Sequence, residues 1–303
     1  MNKIVAIWNR IERSLFPHLK ECLPAMTEAH LHLATVLEVL RIEDYIPPAT
    51  TQWYGRKKKD RKAVARAFVA KVVHKMPTNK ALIERLHVDK NLRALCGWEY
   101  AGQVQDKSTF TRAFAEFART GLLDQVHEAL VKYHLGDVTL WHISRDSTAI
   151  EAREKPVSKQ GNSRSDAPKG KRGRPKKNDG SPPADEKRLA RQRRQTAAEA
   201  IAELPTACDV GMKTDAKGHK TSWRGYKLNL DVVDGDIPVL AVTTSASLHD
   251  SQSAIPMMKR TSERVTSVYD LMDKAYDAKD IREFSVELGH VPIIAINRRR
   301  GME

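Results

Sequence analysis

Between Arg153 and Gln195 the chain loses nearly all of the periodicity on which a folded element is built. The stretch is dominated by Lys, Arg, Pro, Gly and Ser, and is too poor in apolar residues to join a core. The fold must therefore come from what lies on either side, and the two sides read differently. Upstream, to about Asp137, apolar residues recur at helical spacing in Leu31, Ala34, Thr35, Leu37 and Leu40, and again from Ala63 to Val73. From residue 138 onward, short apolar runs of strand type alternate with helical ones: Leu140 to Thr148, Gly225 to Val233, Ile237 to Ala246, Val268 to Met272 and Pro292 to Asn297. That order predicts a helical N-terminal domain over 1–137 and an α/β domain over 138–303. The basic stretch 153–195 is expected as a disordered insertion after the first strand, where a longer surface loop costs about 0.6 kcal/mol per doubling.

The clearest helical segment runs from Asp106 to Tyr133. Asp106 or Ser108 can cap its start by accepting a backbone N–H bond. Phe110, Phe114 and Phe117 then share a face, and Gly121 breaks the helix before Leu122, Leu123, Val126 and Leu130 begin another. Two helices joined at a glycine pack as a hairpin or serve as a helix-turn-helix, with Lys107, Arg112 and Arg119 available for phosphates; spacing leaves both readings open.

Charge narrows the partners. The formal net charge is +14 with a pI near 9.7, and 15 Lys and Arg against 5 Asp and Glu in 153–195 leave only +4 for the rest. Such a balance points to a polyanion partner. Within the stretch, Lys171-Arg172-Gly173-Arg174-Pro175-Lys176-Lys177 has the form of an AT-hook, a slim Gly-Arg-Pro core suited to a narrow A·T-rich minor groove. The alternative is a solvated basic linker that binds phosphates without reading sequence, and either reading makes affinity fall steeply with salt. A helix from Leu189 to Leu204 is expected to return the chain to the domain, with Arg191, Arg193 and Arg194 solvated on its face.

No apolar run approaches the ~18–20 residues of a membrane span, and the N-terminus lacks the pattern of a signal peptide. A cytoplasmic location is expected. Cys22, Cys96 and Cys208 are too widely spaced for a Cys-x-x-Cys metal site and odd in number, so reduced, packed thiols are expected.

Two aspartates stand at the ends of strand-like runs: Asp146 after Leu140-Trp141-His142-Ile143-Ser144-Arg145, and Asp273 after Val268-Tyr269-Asp270-Leu271-Met272. Carboxylates side by side at strand ends suit Mg²⁺, a hard cation that takes oxygen ligands and keeps part of its shell for water and phosphate. In a basic chain the matching substrate is a nucleic-acid phosphodiester.

The order of four motifs then carries a resemblance. Asp146-Ser147-Thr148, Gly225-Tyr226-Lys227, His249-Asp250-Ser251 and Asp273-Lys274-Ala275-Tyr276-Asp277 together resemble the catalytic domain of bacterial insertion-sequence transposases of the DDE class. Leu92 to Trp98 and Asp106 to Phe114 resemble the N-terminal domain of the InsH-type members of that group. The resemblance implies a ribonuclease-H-like mixed sheet flanked by helices, in which the first and fourth of the strands named above lie side by side. It also implies Asp146 and Asp273 as catalytic metal ligands for Mg²⁺, with Mn²⁺ able to substitute. Double-stranded DNA, as element ends and target, is the implied partner, and a homodimer on DNA the implied assembly in the bacterial nucleoid. Tyr226, Lys227 and Lys274 are candidate contacts to DNA, beside Lys171, Arg172, Arg174, Lys176 and Lys177; Asp250 is read as a helix cap in preference to a metal ligand.

The resemblance departs from the family pattern at one place. The family carries a Tyr-x2-Arg-x3-Glu-x6-Lys arrangement after the last strand. Arg299 and Glu303 keep the Arg-x3-Glu spacing, but Ile296 stands at the tyrosine position and no lysine follows. The expectation is a domain lacking its last helix and third catalytic carboxylate, so two functions stay open: a transposase that cleaves and joins strands, or a binding-only remnant or repressor.

Overall fold

The computed structural model describes residues 25–47, 60–157, 187–214 and 218–297. The chain divides into two units, residues 1–130 and 131–303.

The first unit is helical, and its helix boundaries follow from capping chemistry. Helix α1 (Glu28–Leu40) starts at Thr27, whose side chain accepts from the His30 N–H while the His30 ring accepts from the Thr27 N–H; it ends at Arg41 in the left-handed region, φ 43°. Helix α2 (Arg61–Val73) buries Ala63, Val64, Ala65, Ala67, Val69 and Ala70, most of its circumference, and so forms the centre of the unit. Small side chains suit a helix with neighbours on several sides. Helices α3 (Asn79–Val88) and α4 (Lys90–Cys96) are capped by Thr78 and Asp89, and α4 closes at Gly97 with φ 104°. Asp106 caps α5 (Lys107–Thr120), Gly121 ends it at φ 63°, and α6 (Leu122–Leu135) follows. The expected break at Gly121 is thus where the helices part.

Leu33, Leu82, Leu86, Leu92 and Phe110 are fully buried in this core. The Phe68 ring on α2 meets Phe110, Phe114 and Phe117 edge-on, with centroids 5.6, 5.6 and 6.3 Å away. Burial pushes the Cys96 thiol up to about 12, which makes it an inert packing group. Cys96 and Cys208 are both free and buried; Cys22 lies outside the described residues.

The second unit is built on a six-stranded mixed sheet: β1 (Thr139–Glu151), β2 (Asp209–Thr214), β3 (Lys220–Val233), β4 (Ile237–Ser245), β5 (Thr266–Met272) and β6 (Val291–Ile294). The order along the sheet is β2-β3-β1-β5-β6, and β4 pairs with β3. Hairpin-type neighbours are antiparallel, whereas β1, β5 and β6 run parallel. The fold is mixed α+β, helices first and then a mixed sheet flanked by helices, as the sequence implied. The first and fourth expected strands do lie side by side; they are β1 and β5, because the short strand β2 was not anticipated. Gly211 and a polar composition hide β2 from a propensity reading.

Helices cover the sheet. Helix α9 (Ser251–Ser262) and α10 (Lys279–Glu287) contribute Ala254, Ile255, Met258, Ile281 and Phe284 to one cluster that also takes Met272 and Tyr276. Val131 and Leu135 at the end of α6 pack with Leu140, Ile143, Val233, Val239 and Val265 in another.

The expected single helix 189–204 is two helices, α7 (Arg188–Arg194) and α8 (Ala197–Ala202). Thr196 makes a reciprocal cap with Glu199, so a new helix begins where the old one was expected to continue. Arg194 is exposed, as expected of the basic face, but Arg191 and Arg193 are engaged within the fold. Arg193 pairs with Asp280, Glu283 and Glu287 on α10, and Arg191 pairs with Glu203. Carboxylates that no local spacing brings near are supplied by α10, and this part of 153–195 is folded. Residues 158–186, with the motif 171–177, fall outside the described residues.

Candidate active site at the sheet end

The site begins from the pairing of β1, which has two partners. Thr139 to Arg145 pair in parallel with Thr266 to Met272 of β5, and Ser144 to Glu151 pair antiparallel with Val232 to Gly225 of β3. Arg145 belongs to both registers, opposite Met272 on one side and Asp231 on the other. Asp146 is the next residue of β1 and Asp273 the next after Met272. The two carboxylates therefore stand on adjacent strands at the carboxyl end of the parallel pair, the end at which open α/β sheets bind ligands.

Both side chains are exposed, and each is oriented by the backbone beside it. The Ser147 N–H donates to Asp146 Oδ1 at 2.7 Å, and the Ala275 N–H donates to Asp273 Oδ1 at 2.8 Å. Asp273 is the cap of the short 3₁₀ turn Lys274–Tyr276, which fixes the chain as it leaves β5. One oxygen of each carboxylate is thus anchored and the other is available to a hard cation. The donor set, two exposed carboxylates on neighbouring strands, fits Mg²⁺ or Mn²⁺ in chemical type. Among the described residues no group of three or more His, Cys, Asp or Glu is arranged to hold a metal. Glu303 lies outside them.

Beneath the pair is a buried ionic cluster that the sequence reading did not identify. Arg145, Asp231 and Asp270 are 2%, 0% and 1% exposed. Arg145 Nη2 donates to Asp231 Oδ2 at 2.7 Å, and Nη1 lies 3.9 Å from Asp270 Oδ1 and 3.6 Å from Met272 Sδ. Each acid is held from a covering helix or loop: Thr261 donates to Asp231, Ser285 donates to Asp270 at 2.6 Å, and the His290 ring lies 3.0 Å from Asp270 Oδ2. Burial alone would raise the Asp270 carboxyl, but the His290 hydrogen bond, the Arg145 charge and the Ser285 hydrogen bond together hold it below its ordinary range. A polar residue in a strand reads as solvent-facing by alternation, so only the unmatched Arg145 beside an apolar strand face could have signalled the cluster.

Tyr276 completes the floor. It is fully buried, and burial followed by the nearby charges of Asp250, Asp146 and Asp231 raises its phenol well above the ordinary value.

The other expected site residues fall into two groups. Lys227, on β3, donates to Asp250 Oδ1 at 2.7 Å and to the Leu248 carbonyl at 2.8 Å, and Ser147 Oγ donates to the same Asp250 oxygen at 2.9 Å. Asp250 makes no side-chain cap to α9, which corrects the expectation: Lys227 and Ser147 take its Oδ1, and its own backbone is already helical at φ −57°, ψ −38°. Tyr226 donates to Glu154 Oε2 at 2.5 Å, a bond that pushes the phenol up to about 12. Lys274 is exposed beside Asp273. Lys171, Arg172, Arg174, Lys176 and Lys177 are outside the described residues.

Residues 18–116, about a third of the chain, match the family model described as Transposase domain (DUF772). The matched residues make up most of the first unit. No curated protein and no solved structure matches the chain. No helix among the described residues is long and apolar enough to cross a membrane.

Proposed function

We propose that the chain is a DNA transposase of the DDE class, which binds the ends of an insertion sequence and cuts and joins DNA strands with Mg²⁺ or Mn²⁺. The observation that carries this reading is that Asp146 on β1 and Asp273, the residue after β5, each follow the paired Arg145 and Met272 of two adjacent parallel strands, in a chain whose residues 18–116 match a transposase domain model. Element ends must be brought together for strand transfer, so the active assembly is proposed to be a homodimer on DNA.

In this reading Asp146 and Asp273 hold the divalent ions through their outward oxygens, while the Ser147 and Ala275 N–H groups keep the carboxylates from rotating away. Divalent ions held there would supply the charge that activates an attacking water or 3′-hydroxyl and stabilises the leaving oxygen. Lys274, exposed next to Asp273, is placed to meet a backbone phosphate, and the basic stretch that includes 171–177 supplies non-specific attraction to the duplex. Lys227 is already occupied by Asp250, which makes a positional role the simpler one for it.

The test is cleavage and joining of a labelled duplex carrying the element end, by the wild type and by Asp146→Ala and Asp273→Ala. Loss of at least about 100-fold in both variants, with duplex binding kept, supports the proposal; cleavage undiminished in both overturns it. Binding without cleavage by the wild type would favour the second reading, a binding-only protein, for which the two-carboxylate donor set among the described residues speaks.

A further inference from the structure

We infer that Arg145 is the positioning residue of this site: by joining β3, β1 and β5 one residue inside the carboxylate pair, it sets Asp146 beside Asp273. The inference rests on the proposed function only in what the pair is for; the geometry is independent of it.

Arg145 immediately precedes Asp146, and with Ser144 it is one of two residues at which β1 is in register with both neighbours, the one nearer the carboxylate pair. Its two terminal nitrogens reach opposite ways, one to Asp231 on β3 at 2.7 Å and the other to Asp270 at 3.9 Å and Met272 Sδ at 3.6 Å on β5. Met272 is the residue before Asp273. One planar group therefore spans three strands in the row that adjoins the proposed ligands.

Burying a guanidinium with two carboxylates requires desolvation that a well-packed apolar trio would avoid, so such a cluster is weak support for stability. Its directional hydrogen bonds instead specify one arrangement of the strands that carry it. The acids are themselves fixed, Asp231 by Thr261 of α9 and Asp270 by Ser285 of α10 and by His290. Arg145 thus transmits the placement of two helices to the spacing of the pair. Lysine, with one nitrogen at the end of a flexible stem, cannot bridge both acids in a plane.

The test has a readout that needs neither metal nor activity. Asp146→Cys and Asp273→Cys are introduced together, and the disulfide between them is quantified by peptide mass mapping under mild oxidation; each lies one residue past the paired Arg145 and Met272, and neighbouring strands stand about 4.8 Å apart, within the Cα range of a disulfide. The cross-link is expected to form with Arg145 present and to be lost with Arg145→Lys, and equally with Arg145→Met combined with Asp231→Leu, a variant that removes charge together with its partner and so keeps the fold. Circular dichroism confirms that each variant is folded.

In the uncross-linked protein the same substitutions are expected to weaken Mn²⁺ binding, followed by electron paramagnetic resonance, by about 10- to 100-fold. Cross-linking and Mn²⁺ affinity that persist in folded variants overturn the inference, as does failure of the parent cysteine pair to cross-link. A cross-link that depends on Arg145 in a protein that neither binds Mn²⁺ nor cleaves DNA would sustain the positioning role and sink the proposed function instead.

Discussion

Lys227 Nζ and Asp250 Oδ1 lie 2.7 Å apart, with side chains 13% and 23% exposed, and join the middle of β3 to the start of α9. Ser147, the residue after Asp146, shares the same carboxylate oxygen. A lysine held this way acts first on the protein's own structure. Lys227→Met is expected to lower unfolding free energy by about 1.5–3 kcal/mol, the range for a hydrogen bond to a charged group, measured by urea denaturation. The salt dependence of duplex binding should not change; a slope reduced by about one would assign Lys227 to a phosphate instead.

Gly225 is the point at which β3 passes from β2 to β1, paired with Asp209 and with Glu151. Its φ is 148°, and a Cβ there would lie 2.0 Å from the Ile150 carbonyl oxygen. That atom is backbone in a paired strand and cannot swing aside. Gly225→Ala is expected to cost about 3 kcal/mol, read as a drop in melting temperature, and a variant as stable as the wild type would show that the strand ends do not approach this closely.

Asp106 accepts from the Thr109 N–H at 2.8 Å and from Ser108 Oγ at 2.9 Å, at the start of the helix that carries Phe110. Removing the cap by Asp106→Ala is expected to destabilise by about 1 kcal/mol, whereas Asp106→Asn, which keeps the accepting oxygen, should recover most of it. Thermal unfolding of the two variants side by side decides.

The depressed carboxyl of Asp270 makes a prediction about acid. Its folded value lies below the unfolded one, so its contribution is fully present above the unfolded value, about 4, and is lost as pH falls through the folded value. The gap in unfolding free energy between the wild type and Asp270→Asn is therefore expected to hold steady near pH 5 and to shrink toward pH 3. A gap that widens as the solution is acidified would contradict the assignment of His290, Arg145 and Ser285 as its partners.

Much of the helical unit was legible because capping and spacing are local: Asp106, Gly121 and the Phe110 face are all read within a few residues of one another. The adjacency of β1 and β5 came from the resemblance carried by the order of the motifs, since the apolar runs by themselves show only an α/β alternation. What escaped was whatever depends on partners distant in sequence. Arg193 reads as a solvated cation until Glu283 and Glu287 of α10 are brought to it. Asp231 alternates with Leu230 and Val232 as a surface residue does, Arg145 stands between the polar Ser144 and Asp146, and only the covering helices make both interior. The Asp250 cap was a sound local reading that lost to Lys227, 23 residues away in sequence.

The alternation along β1 also gives the folding chain a means of rejecting its own errors. Because neighbouring side chains in a strand point to opposite faces, a slip of one residue would turn Arg145 out to water and drive Asp146 into the interior beside Asp231 and Asp270. Three acids would then be enclosed with no guanidinium among them, an arrangement penalised by several kcal/mol for each ion that remains charged. A misaligned sheet would thus fail before its carboxylates could be misplaced, and any molecule that completes this fold carries Asp146 on the outside.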